Sequence, residues 1–231
     1  SEWRDLLDSP ERPLNNKAIG GTYPPGSTYK MVTALAALES KAIEPWTVLP
    51  CNGYLTLADI KFHCWLKGGH GGLNVTGAIA QSCDCFFYEA ARRAGIDRIA
   101  ETAQKLGFGR QSDLGLPGES AGTQPSRQWK QEKYSKPWQQ GDTFNLGIGQ
   151  GYMTATPLQL AIMTARLANG GYEVQPNLLL AKASPREELA PPAMRVIDKV
   201  RHAKNIQLAD FLFLKSRVAP GTPAGSWRKN A

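Results

Sequence analysis

Ten residues from Gly21 to Lys30, reading Gly-Thr-Tyr-Pro-Pro-Gly-Ser-Thr-Tyr-Lys, constrain this chain more than any other stretch. Pro24 and Pro25 fix φ, Gly26 supplies a sharp turn, and the apolar run Met31, Val32, Ala34, Leu35 and Leu38 follows directly. The pattern predicts a helix over 27–39, entered by a rigid turn that delivers Ser27 to its first residues. Positions three apart share a helix face, so the Lys30 amine is expected within reach of the Ser27 hydroxyl. A serine hydroxyl needs an adjacent base to act as a nucleophile, and a lysine serves where its surroundings favour the uncharged amine. The positive end of the helix would also favour an oxyanion at Ser27. Ser-x-x-Lys by itself equally describes a capping serine and a solvated lysine; the turn and the apolar helix are what point to chemistry.

With 231 residues, 42% hydrophobic and 20% charged, the chain has the balance of a globular protein with room for a sizeable core. No run approaches the roughly 20 apolar residues of a membrane span, and no signal peptide opens the sequence. It opens on Ser1 rather than Met, which predicts a piece of something longer. The net charge of +7 is concentrated at the end: residues 199–231 carry seven Lys or Arg against one Asp. The body is close to neutral and shows no interleaving of aromatic and basic residues, so nucleic acid is not an expected partner.

Along the chain, residues 41–73 are rich in Gly and Trp and read as an irregular excursion. Asn74 caps a second helix running to about Arg93 and closed by Gly95, and Asp97 caps a third that ends at Gly107. Residues 109–141 read as loop, with Trp129 and Trp138 bracing it. Thr156-Pro157 starts a strong helix that Asn169-Gly170-Gly171 ends, followed by a short strand over 172–175. The run Gly147-Ile148-Gly149-Gln150-Gly151 lacks the strand and acidic residue of a dinucleotide site and reads as a packing turn.

Three collinear segments, 21–30 (GTYPPGSTYK), 74–97 (NVTGAIAQSCDCFFYEAARRAGID) and 140–161 (QGDTFNLGIGQGYMTATPLQLA), together resemble the transpeptidase domain of class B penicillin-binding proteins, in particular those of rod elongation. The resemblance covers roughly residues 10–198. It implies an α+β fold of the serine penicillin-binding and β-lactamase type, truncated here so that the retained part is mainly helical. It implies that Ser27 attacks the D-alanyl-D-alanine bond of a peptidoglycan stem peptide, with Lys30 as base, and that β-lactams acylate the same serine. Ser82-Cys83-Asp84 matches the second family motif, with Ser82 relaying a proton and Asp84 orienting the cluster. By resemblance the catalytic part faces the periplasm from the inner membrane and works beside a membrane glycosyltransferase of the elongation machinery.

The family's third motif, Lys-Thr-Gly or Lys-Ser-Gly, has Lys215-Ser216-Arg217 as its nearest counterpart, with arginine in place of the glycine that lets backbone approach the ligand. Resemblance and charge balance both change near residue 199. The sequence thus divides into a partial transpeptidase domain over 1–198 and a basic, non-homologous tail over 199–231, expected to be an out-of-frame or otherwise unrelated ending. Such a chain is expected to turn over little substrate. The alternatives are a serine hydrolase of the same superfamily, such as a D,D-carboxypeptidase or β-lactamase, and a non-catalytic fragment stabilised by zinc.

All four cysteines fall within residues 51–85, with His63 and His70 among them. In an oxidising compartment disulfides are the default reading. Cys51, Cys64, His70 and Cys83 could alternatively form a tetrahedral zinc site. Some members of the family hold zinc at this place, and alignment on His70 to Val75 puts ligand positions at those four residues. Cys85 is then a buried helix cysteine, and His63 an ordinary loop histidine.

Overall fold

In the computed structural model, which describes residues 2–178, one almost wholly buried helix organises everything around it. Helix α3 (Lys30–Glu39) buries Lys30 and every residue from Val32 to Ala37, because its small and branched side chains let neighbours approach from all sides. On one side Tyr29, Val32, Leu35 and Ala36 pack with Ile96, Ile99, Leu106, Phe108, Leu146 and Met163. On the other, Ala34 and Ala37 meet Ile43, Val75, Ile79, Phe86 and Phe87. Ahead of α3 lie two short helices, α1 (Glu2–Asp8) and α2 (Lys17–Gly20), and a 3-10 turn over Gly26–Tyr29. The expected helix over 27–39 is therefore two pieces, with Ser27 in the tighter 3-10 turn that the proline pair imposes.

The excursion is more regular than its composition suggests. Strands β1 (Leu49–Cys51) and β4 (Gly71–Leu73) pair antiparallel, with Cys51 opposite Gly71. Between them β2 (Tyr54–Leu57) and β3 (Ile60–His63) form a hairpin, Tyr54 opposite His63. The hairpin is mostly exposed on both faces, so it lacks the apolar alternation that betrays a strand. Phe62 fastens it to the body, edge-on to Phe144 at 5.0 Å and to Tyr88 at 5.7 Å between ring centroids. The Tyr88 hydroxyl adds a hydrogen bond to the His63 carbonyl at 3.0 Å.

The second predicted helix is also broken. Helix α4 (Val75–Ala80), capped by Asn74, stops at Gln81, and α5 (Asp84–Ala94) begins after Cys83. At the break Ser82 takes φ +51°, a left-handed conformation that costs a non-glycine residue free energy. Helix α6 (Ile96–Lys105) follows, its N-cap at Gly95 rather than Asp97, which instead occupies the first turn. Within the predicted loop lies α7 (Arg127–Tyr134), capped by Ser126. Its polar sequence buries only Lys130, so no apolar stripe advertises it; Lys130 is paired with Asp142 at 2.5 Å. Trp129 packs beside Tyr134 and Tyr152, and the Trp138 indole donates to Thr143 at 2.8 Å, so both tryptophans do brace this region.

Helix α8 (Gln140–Gly147) packs against α5, and α9 (Pro157–Ala168) starts at the Thr156–Gln159 capping box. Among the described residues 172–175 form no strand beyond a single bridge position at Tyr172, whose N–H donates to the Asn169 side chain at 3.0 Å. The predicted tail over 199–231, with Lys215-Ser216-Arg217, lies outside the described residues. No helix among the described residues is long and apolar enough to cross a membrane.

The glycine run after α8 is a packing turn, and it props up the serine. Gly149 sits at φ +72°, and a Cβ there would stand 2.2 Å from the Gly26 carbonyl oxygen and 2.7 Å from Tyr29 Cβ. The Gly26 N–H in turn donates to the Gly149 carbonyl at 2.9 Å. Gly149→Ala is therefore expected to lower stability to urea by about 2–3 kcal/mol. Gly68→Ala, where a Cβ meets nothing within 4 Å, is expected to change it by under about 0.5 kcal/mol.

Candidate active site

Three chain segments converge on the Lys30 amine. The proline-led 3-10 turn presents Ser27 to solvent, α3 carries Lys30 inward to 3% exposure, and the break between α4 and α5 brings up Ser82 and Asp84. Lys30 Nζ donates to the Ser82 carbonyl at 2.8 Å, Ser82 Oγ at 2.9 Å and Asp84 Oδ1 at 2.6 Å. Those three bonds use all three donors of an ammonium. The Phe87 ring lies beneath, its centroid 5.7 Å from Nζ. The Ser82 hydroxyl donates to Ser27 Oγ at 3.0 Å.

The direct contact expected between Lys30 and Ser27 is thus replaced by a two-step connection through Ser82. The physical reason is charge and reach: the Asp84 carboxylate draws the ammonium to the break between α4 and α5, where the Ser82 carbonyl and hydroxyl take its other two donors. The break in the helix is what allows this. In a continuous helix residues 82 and 84 would point to nearly opposite faces, and only one could reach Lys30. With Ser82 left-handed and Asp84 opening α5, both face the same amine, and the carboxylate also complements the positive helix end.

The second carboxylate oxygen is held as well. Asp84 Oδ2 accepts the Trp65 backbone N–H at 3.0 Å, and the Trp65 indole N–H donates to the Gln81 carbonyl at 3.0 Å. Trp65 had no signal in the sequence: it is one exposed aromatic in a Gly-rich stretch. Gly149, under the Ser27 turn, was legible only as part of a glycine run.

Close by, Cys51, Cys64, His70 and Cys83 gather with one ligand atom each, all within 4.8 Å of one another, in an arrangement that could hold a metal ion. His70 Nδ1 stands 3.5 Å from Cys51 Sγ and 3.6 Å from Cys64 Sγ. Ligands about 2.1–2.3 Å from a tetrahedral zinc stand about 3.6 Å apart, so the donor set and its spacing fit that ion. His70 Nε2 is buried without a hydrogen-bond partner among the described residues, which leaves Nδ1 as the ring's polar contact. Burial pushes the Cys51 thiol up, but the Gly53 backbone N–H, with His70 and Cys83, outweighs it and holds the group at about 6. Burial raises Cys83 and Cys85 instead. All four cysteines are free thiols, Cys85 lying outside the cluster and His63 exposed on β3.

A model of the penicillin binding protein transpeptidase domain matches residues 2–208. The chain belongs to the penicillin-binding protein transpeptidase family. The peptidoglycan D,D-transpeptidase MrdA of Escherichia coli strain K12 is 42% identical over 184 residues, which is 79% of this chain and 29% of that relative. Among solved structures, PBP2 of Pseudomonas aeruginosa matches with a TM-score of 0.79 and 39% identity, over 89% of this chain and 45% of that one. A complex of PBP2 with MreC from Helicobacter pylori matches with a TM-score of 0.81 and 30% identity, over 94% and 40%. This member of the family therefore has the α+β transpeptidase fold in partial form and spans under half the length of those relatives.

The ion pair at the centre of this family member makes a measurable demand. Asp84→Ala would leave Lys30 buried opposite no charge, and it is expected to destabilise the protein by about 3–5 kcal/mol. Adding Lys30→Met removes the stranded charge and is expected to restore most of that loss, read as non-additivity in a double-mutant cycle by urea unfolding.

Proposed function

We propose that this chain carries the acylating centre of a peptidoglycan D,D-transpeptidase, with Ser27 as nucleophile. The observation that carries the reading is the continuous path from Ser27 Oγ through Ser82 Oγ, at 3.0 Å, to Lys30 Nζ, at a further 2.9 Å. Stem peptides ending in D-alanyl-D-alanine are the substrates and β-lactams the mimics. The Lys30 ammonium first gives one proton to solvent; Ser82 Oγ then takes the Ser27 proton as it gives its own to the uncharged Nζ. The Ser27 oxygen then bonds to the carbonyl carbon of the penultimate D-alanine. As the amide bond breaks, the proton returns through Ser82 to the departing D-alanine amine. An amine of a neighbouring stem resolves the acyl-enzyme into a cross-link, and water in its place gives the carboxypeptidase outcome. Asp84 holds Lys30 in place throughout.

Partners follow from the relatives: a complex with MreC has been solved for PBP2, and a membrane glycosyltransferase of the elongation machinery fits the same reading. The location that goes with it is the periplasmic face of the inner membrane. The division into a transpeptidase portion over 1–198 and a basic tail over 199–231 belongs to the same proposal, with the family match running ten residues past that boundary, to residue 208. With Lys215-Ser216-Arg217 where the oxyanion strand would carry Lys-Ser-Gly, acylation is expected to be about 10²–10³-fold slower than in a relative with that motif. Prolonged incubation with a fluorescent penicillin, read by intact and peptide mass, is expected to place one adduct on Ser27 and none on the Ser27→Ala variant. An adduct that survives Ser27→Ala overturns the nucleophile, and rapid labelling overturns the role given to the tail.

Zinc is the ion proposed for Cys51, Cys64, His70 and Cys83. When bound it would supply a tetrahedral cross-link between the β1–β4 pair and the start of α5. Metal analysis is expected to find about one zinc per chain, and four titratable thiols once a chelator has removed it. Thiols missing under denaturing, non-reducing conditions would instead favour disulfides.

A further inference from the structure

We propose that Trp65 is a positioning residue for the Ser27–Ser82–Lys30–Asp84 cluster, a role that rests on the acyl-transfer reading above. Its burial explains little, since 61% of the residue is exposed to solvent. Its two N–H groups explain more. The backbone N–H holds Asp84 Oδ2 at 3.0 Å while Lys30 holds Oδ1 at 2.6 Å, so the carboxylate is pinned at both oxygens and cannot rotate. The indole N–H holds the Gln81 carbonyl at 3.0 Å, one of the orphan acceptors left where α4 ends. One residue therefore grips the chain immediately before and two residues after Ser82, which sits between them at φ +51°.

That placement addresses a specific difficulty. A left-handed serine persists only where its surroundings over-determine it, and relaxation would carry Ser82 Oγ away from Ser27. Backbone bonds from Ser82 N–H to Ile79 and from Cys83 N–H to Ala78 fix the inner side of the turn. Trp65 fixes the outer side, where solvent would otherwise compete for the Gln81 carbonyl and Asp84. The Trp65 ring also lies edge-on to His70, with 5.3 Å between centroids, and Cys64 precedes it. The strand end that carries the thiol and imidazole groups is thereby coupled to the turn that carries the relay.

The test uses the full chain with Trp65→Phe, which keeps an aromatic ring and the backbone N–H and removes the indole N–H together with the fused ring that carries it. Amides of residues 81–86 are expected to exchange with deuterium about fivefold faster, and the limiting rate of Ser27 acylation by penicillin to fall about fivefold. The half-saturating penicillin concentration, the metal content and the urea midpoint are expected to stay within error of the parent. Unchanged exchange and an unchanged acylation rate overturn the proposal. A change that appears only together with lost metal or a lowered urea midpoint also overturns it, by making Trp65 a structural residue. Exchange is read without any acylation, so a parent chain that forms no Ser27 adduct refutes the acyl-transfer reading, while the exchange result still decides Trp65.

Discussion

A lysine amine almost sealed from water cannot be left to itself, and much of this structure answers that demand. The amine at the head of α3 has three donors, and three oxygens surround it: a carboxylate, a carbonyl and a hydroxyl. An uncompensated buried charge costs several kcal/mol, so whatever brings those oxygens together is under strong selection by the fold itself. The requirement accounts for the interruption between α4 and α5, for the left-handed Ser82 and for an aspartate at the first position of α5. The hydroxyl that satisfies the lysine is also the one that reaches Ser27, so the group that stabilises the buried amine and the group that would relay protons are the same.

Cys83 lies inside that turn, between Ser82 and Asp84, and its side chain goes the other way, into the thiol and imidazole cluster. Alternation along the chain at residues 82, 83 and 84 therefore sends two side chains to the amine and one to the cluster. Cys64 repeats the arrangement on a smaller scale, since its neighbour Trp65 reaches across to Asp84 and Gln81. The two groups of residues are interleaved in sequence as well as adjacent in space, which explains why a Gly-rich, polar excursion can be held so firmly against the helices.

Local chemistry made part of this readable beforehand. The Pro-Pro-Gly entry, the Asn74 and Thr156 caps and the Gly95 stop are each decided by a few residues, and the four ligand-type side chains stood out against an otherwise ordinary composition. Other features depend on partners far along the chain. The break at Ser82 has no proline or glycine to announce it and is set by Lys30, some fifty residues earlier. Helix α7 hides because its one buried side chain is a lysine, and β2 and β3 hide because both faces of the hairpin meet solvent. Lys30 was placed against Ser27 by counting along one helix, whereas its oxygens come from a separate segment that no local count could include.

The hairpin between β2 and β3 has its two ends brought together twice, by the Cys64 N–H bond to the Gly53 carbonyl at 2.8 Å and by the nearby thiols of Cys51 and Cys64. A loop whose base is already closed tolerates growth cheaply, because the closure entropy rises only with the logarithm of its length. Its tip at Ala58-Asp59 is consequently a natural splice point, where an epitope or a small reporter domain could be grafted without drawing on the machinery at its root.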